Sequence, residues 1–243
     1  MANTNTSNPL VWIDCEVRLL PGAFTFPYYP PPLGHNTVPL HRNINYPTQM
    51  TGLDVDNDVI IEIFCIITNG NLDVLDENGW GTVVHQTKTT MDKMVRITSL
   101  DPSHSSTDNK KTKDEWCTRT HGENGLTAAV LASKVTAEQA SIELLEYIKR
   151  YIPEPGRGLL AGSSVHADKA FLRKEPYKRV HDHLSYRILD VSSLKEASKR
   201  WSSEEVVVGV PKKRALHKAK DDIYESIAEA RYYKEVIFQG RQI

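Results

Sequence analysis

Apolar residues along the chain fall into two periods, and the switch between them sets the fold class. Leu10 to Asp14 (LVWID) reads as a short buried strand, and from Val59 the run VIIEIFCIIT is β-branched and continuous, as in a strand covered on both faces. GTVVH (81–85) is a third strand after the turn-forming NLDVLDENG. Past Thr136 the period becomes helical: the apolar positions are Ile142, Leu144, Leu145, Ile148 and Ile152, Thr136 and Gln139 form a capping signal, and Pro153 stops the run. A strand over 158–162, a helix over 168–174, a strand over 187–191 and a helix over 193–201 follow. A last helix from about Lys220 to Val236 carries Ile223, Ile227, Ala230 and Tyr233 on one side. Strands first, then helices alternating with strands, predict an α/β fold with a mixed central sheet flanked by helices.

Two segments follow neither period. Residues 17–49 hold seven prolines and scattered aromatics, and residues 95–113 (VRITSLDPSHSSTDNKKTK) are polar and rich in Ser, Thr and Lys. Loops this long are uncommon inside a compact domain. The expected organisation is therefore one domain over 8–240 interrupted twice. Composition alters this little, since 40% hydrophobic and 25% charged residues are ordinary globular values. A net charge of −1 gives no general affinity for nucleic-acid polymers, so such a contact must be local or metal-mediated. Three cysteines without CxxC spacing suggest a reducing compartment, and no apolar window approaches the ~20 residues of a membrane span. The N-terminal MANTNTSNPL has neither a secretory nor an Arg-rich amphipathic pattern. The expectation is an intracellular protein, mitochondrial or cytoplasmic or both, with no membrane partner.

The chemistry begins at WIDCE. In a strand, residues i and i+2 face the same way, so Asp14 and Glu16 present both carboxylates together. Such a pair repels itself unless a cation lies between; the alternative is a solvated strand end. Asp168 follows a strand and a tight Gly-Ser-Ser stretch at a helix start, and His217 precedes Asp221 and Asp222 at the mouth of the last helix. Four carboxylates and a histidine at element ends are what a two-metal phosphoryl-transfer site needs: hard oxygen ligands for Mg²⁺ or Mn²⁺ and a base for the attacking water. Spacing leaves open whether they converge.

The same residues carry a resemblance. The blocks LVWIDCE, MTGLD, DVIIEI, DEWCTRTHGENGL, LLEYIKRYIP, LLAGSSVHADKAFL, SYRILDVSSLKE and HKAKDDIYESIAEARYY resemble the oligoribonucleases of the DEDDh exonuclease superfamily, over nearly everything except the two odd segments. The resemblance implies an RNase H-like fold, a homodimer, two divalent cations, and 3′-to-5′ hydrolysis of short single-stranded oligoribonucleotides, above all dinucleotides, to nucleoside 5′-monophosphates. It implies Asp14, Glu16, Asp168 and Asp222 as metal ligands, Asp222 rather than Asp221 because the family spaces its histidine and last aspartate five apart. It implies His217 as general base, a role suited to an imidazole of pKa about 6.5. Leu53 resembles the apolar wedge beside the bases and Trp116 the aromatic platform under them. Ser164, with the partner subunit's Tyr186 and the partner subunit's Arg187, resembles the cap on the 5′ phosphate; core packing is the plain alternative for Trp116 and Tyr186. Many relatives have Asn at Ser163 and His at Ser185, so one phosphate donor is expected to be missing.

In the family the first-motif glutamate is followed directly by MTGL, whereas here 33 residues intervene, and 19 separate Met94 from Asp114. Taking 33 and 19 from 243 leaves 191 residues, an ordinary family length. Both segments begin Val-Arg, which GTA-AGA or GTA-AGG can encode, as at a 5′ splice donor; they end in Gln49 and Lys113, compatible with CAG and AAG acceptors. The reading is that both are retained introns, against lineage-specific loops. Two other functions compete with the enzyme: a catalytically impaired nucleotide-binding homologue whose first segment displaces Leu53, and a DNA-proofreading exonuclease of the same superfamily.

Overall fold

The apolar run from Val59 becomes β2 (Val59–Thr68), an inner strand of a five-stranded sheet in the computed structural model, which describes residues 7–18, 55–56, 58–92, 125–213 and 218–240. The others are β1 (Leu10–Arg18), β3 (Trp80–Val83), β4 (Leu159–Gly162) and β5 (Ile188–Asp190), ordered β3-β2-β1-β4-β5. β1 is central, antiparallel to β2 and parallel to β4, and β5 runs parallel to β4. Its side chains alternate between two cores. Val11, Ile13 and Val17 join the first, and Leu10 and Trp12 the second. Trp12 is fully buried, and its indole N–H donates to Thr68 Oγ1 at 3.0 Å, which satisfies the one polar atom the ring takes inside.

Helices cover both faces. α1 (Lys88–Asp92), α2 (Leu126–Ala132) and α3 (Ala137–Tyr151) precede β4; α4 (His166–Leu172) and α5 (Lys178–His183) lie between β4 and β5; α6 (Val191–Trp201), α7 (Glu204–Val208) and α8 (Ala219–Tyr233) follow. The Thr136 side chain caps α3 by accepting the Gln139 N–H at 3.1 Å. Leu144 and Ile148 of α3 and Leu172 of α4 pack into the first core. Ile223, Ile227, Ala230 and Tyr233 of α8 pack into the second, and α8 ends in a π-helical turn over Lys234–Phe238.

One boundary corrects the sequence reading. The first strand does not stop at Asp14 but runs on to Arg18, because Glu16 pairs with Glu62 and Val17 with Ile60, and the ladder skips Ile61 between them. Val17, the first residue of the odd segment, is only 6% exposed and belongs to the core. Residues 19–54 and 93–124, with nearly all of both odd segments, lie outside the described residues. Smaller shifts occur at β3, which starts at Trp80, and at α4, which starts at His166.

Candidate active site

The alternation of β1 that sends Trp12 inward also places Asp14 and Glu16 on the face covered by α8. The first turn of α8 carries Asp221 and Asp222, and it is Asp222, 7% exposed, that turns toward the strand. One carboxylate oxygen from each of Asp14, Glu16 and Asp222 lies within 4.8 Å of the others. Asp168 arrives from the other neighbour of β1. β4 pairs with β1 at Trp12 and Ala161, the chain leaves the sheet at Gly162, turns through Ser164 at φ 57°, and enters α4. From there Asp168 Oδ1 accepts the Cys15 N–H at 2.9 Å, fastening it to the backbone between the two β1 carboxylates. Residues 153 positions apart are thus joined at one strand end.

The electrostatics are those of negative charge gathered away from water. Burial is the main cause that lifts the Asp14 carboxyl well above the usual range, with Asp168, Glu16 and Asp222 adding to it and Lys213 opposing. Burial pushes Asp168 up to about 7 against the pull of the Cys15 N–H. Burial followed by Glu16 and Glu225 pushes Asp222 up to about 7, again opposed by Lys213. One oxygen of this set, Asp222 Oδ1, is buried without a hydrogen-bond partner among the described residues. An unpaired carboxylate oxygen in that position is costly, and a hard cation is the ligand its chemistry suits. The donor set therefore fits a divalent metal ion.

The other expected residues are distributed as follows. The Ser164 hydroxyl lies at the C-terminal end of β4, 3.0 Å from Ser192 Oγ, and the Ser164 N–H donates to Asp190 Oδ1 at 2.9 Å. Tyr186 is 74% exposed, which excludes core packing, and the Arg187 guanidinium lies 4.7 Å from its ring centroid. Leu53, Trp116 and His217 lie outside the described residues. Sequence reasoning missed Asp190, Ser192 and Lys213. Asp190 caps α6 by accepting the Ser192 N–H at 2.9 Å, and an Asp before a helix with Ser two residues on was the available signal. Lys213 sits in the basic run PKKR, which reads by itself as a solvated stretch.

The exonuclease family RNase_T matches residues 48–230, beginning after β1. The mitochondrial oligoribonuclease of Saccharomyces cerevisiae is 39% identical over 238 residues, covering 96% of this chain and 68% of that protein. The chain belongs to the oligoribonucleases of the exonuclease family. Other oligoribonucleases agree: the mitochondrial protein of Homo sapiens is 41% identical over 193 residues, covering 79% of this chain and 72% of that one. The oligoribonuclease of Acinetobacter baylyi is 38% identical over 190 residues, covering 78% and 91%. Among solved structures, cell-death related nuclease 4 superimposes with a TM-score of 0.54 at 8% identity, covering 96% of this chain and 65% of that one; the shared fold is the RNase H-like exonuclease fold.

Proposed function

We propose that this oligoribonuclease is a 3′-to-5′ exoribonuclease that hydrolyses short single-stranded oligoribonucleotides, dinucleotides above all, to nucleoside 5′-monophosphates. The observation that carries the reading is the meeting of one carboxylate oxygen each from Asp14, Glu16 and Asp222 within 4.8 Å, in a chain of this family, with Asp222 Oδ1 buried and unpartnered among the described residues. Asp14, Glu16, Asp168 and Asp222 hold two divalent cations, Mg²⁺ or Mn²⁺. When bound, these cations supply an activated water and offset the charge that builds on the phosphodiester. His217 accepts the proton of the attacking water, a task for which an imidazole is poised near neutrality. Leu53 and Trp116 take the bases by apolar contact and stacking, which tolerates every base and suits mixed fragments. Ser164, with the partner's Tyr186 and the partner's Arg187 of a homodimer, receives the 5′ phosphate and so limits substrate length. Exposure of Tyr186 and Arg187 supports a contribution across a subunit contact.

No observation favours the impaired reading, since the three carboxylates meet in the chain as it stands. The names of the fungal and mammalian relatives support a mitochondrial location, testable by fractionation. No helix among the described residues is long and apolar enough to cross a membrane. The activity test is incubation of purified protein with a 5′-phosphorylated diribonucleotide and Mg²⁺ or Mn²⁺, with chromatography of the products. Nucleoside 5′-monophosphates are expected. Nucleoside 3′-phosphates, or intact substrate with both metals, would overturn the reading.

A further inference from the structure

Lys213 belongs to none of the family blocks, yet it is held in place. Its side chain is 18% exposed, and its ammonium lies 3.8 Å from Glu229 Oε2 and 3.4 Å from Ser163 Oγ. Glu229 is an inner residue of α8, two turns beyond Asp222, with a side chain only 2% exposed. Its other oxygen accepts the Tyr233 hydroxyl at 3.1 Å and lies 3.2 Å from Lys195 Nζ. A carboxylate that deep persists only with partners, and the two ammonium groups and the phenol satisfy it. The consequence for Lys213 is a fixed position rather than a solvated swing.

From Lys213 a line of hydroxyls leads to the residue assigned to the terminal phosphate. Ser163 Oγ lies 3.0 Å from Ser192 Oγ, and Ser192 Oγ lies 3.0 Å from Ser164 Oγ. An ammonium carries donors and no acceptor, so Ser163 accepts from Lys213 and keeps its own proton free to donate to Ser192. In that order Ser192 donates to Ser164, whose proton is then available to an acceptor outside the chain; the 3.0 Å spacing is compatible with either direction. Each bond in such a series strengthens the next. Asp190 fixes the frame by accepting the backbone N–H of both Ser164 and Ser192, each at 2.9 Å.

We propose that Lys213 is a positioning residue for the 5′ phosphate of the substrate, orienting and polarising the series Ser163, Ser192, Ser164 so that Ser164 presents a proton to that phosphate. The proposal rests on the assignment of Ser164 to the 5′ phosphate made above. It distinguishes Lys213 from a residue that only neutralises the nearby carboxylates.

The test compares kcat/KM on a 5′-phosphorylated diribonucleotide with that on the same dinucleotide lacking the phosphate, for the full chain with Mn²⁺. Lys213→Met and Ser163→Ala should each lower the ratio of phosphorylated to unphosphorylated by about 5-fold, mainly through KM. Ser164→Ala, the control for the assignment, should lower it by about 10-fold or more. If Ser164→Ala lowers the ratio while the other two leave it unchanged, the series is overturned and the assignment stands. If Ser164→Ala leaves the ratio unchanged, the assignment fails and takes the proposal with it. A fall on both substrates alike for Lys213→Met, with Ser163→Ala silent, would make Lys213 a partner of the carboxylates and overturn the proposal. Should Lys213→Met not fold, Ser163→Ala decides alone.

Discussion

Asp222 links the fold to the chemistry through its proton. Its carboxyl stands at about 7 in the folded protein, against about 4 for an ordinary aspartate. Between those values the folded state holds a proton that the unfolded state has released, so stability falls as pH rises. The stabilisation is full below about 4 and lost as pH passes 7. In metal-free protein, Asp222→Asn should therefore raise Tm at pH 8 by several °C, about three pKa units setting an upper bound of about 4 kcal/mol, and leave Tm unchanged at pH 4. Melting in the presence of a chelator measures this, and an equal gain at both pH values would show that charge is not the cause. His217→Ala should lower turnover by about 10²- to 10⁴-fold while metal and dinucleotide binding persist. Asp14→Ala should instead weaken metal binding, read by calorimetry. A histidine variant with full activity across neutral pH would remove the general-base assignment.

At the scale of elements, what the sequence made legible is what has a period. β2 begins and ends where its β-branched run does, and α3 starts at the Thr136 cap that Gln139 signalled. The helices α1, α2, α5 and α7, of five to seven residues each, are too short to show a repeating apolar face and went unread. The extension of β1 past Asp14 was hidden for another reason. Val17 and Arg18 are strand residues because Ile60 and Val59 pair with them, which is a tertiary fact. Site residues divide in the same way. The pair Asp14 and Glu16 follows from strand alternation, whereas the contact of Asp168 with the Cys15 N–H and the contacts of Lys213 join distant segments that no local pattern connects. Gly81 offers a test at this scale. It pairs with Phe64 across β2 and β3, and a Cβ there would lie 2.0 Å from Phe64 Cδ2. The same ring has Lys220 Nζ of α8 5.4 Å from its centroid. Gly81→Ala should cost about 1–3 kcal/mol in chemical denaturation and lower activity by disturbing the turn of α8 that carries Asp222. Unchanged stability would mean that the ring moves aside freely.

For the whole molecule the open proposal is that residues 17–49 and 95–113 are retained introns. Excision would bring Met50 next to Glu16, setting one apolar side chain in the buried place of another, Val17. It would also set MTGL, and Leu53 with it, directly after the strand that carries Asp14 and Glu16, and positioning is where rate is most easily lost. The chain without both segments should therefore form a more stable dimer with higher activity on diribonucleotides, read by thermal melting and initial rates. Equal or better performance of the full chain, or a spliced transcript containing both segments, would make them integral loops. The central place of β1 bears also on how the protein is born. Leu10 pairs with Leu159 and Trp12 with Ala161, so the strand leaves the ribosome long before its parallel neighbour exists. At roughly 5–20 residues per second that delay is about 7–30 s, during which a nascent chain carries an apolar strand with one edge bare. The two acidic groups made first must wait for the last helix to be translated before the site they belong to can close.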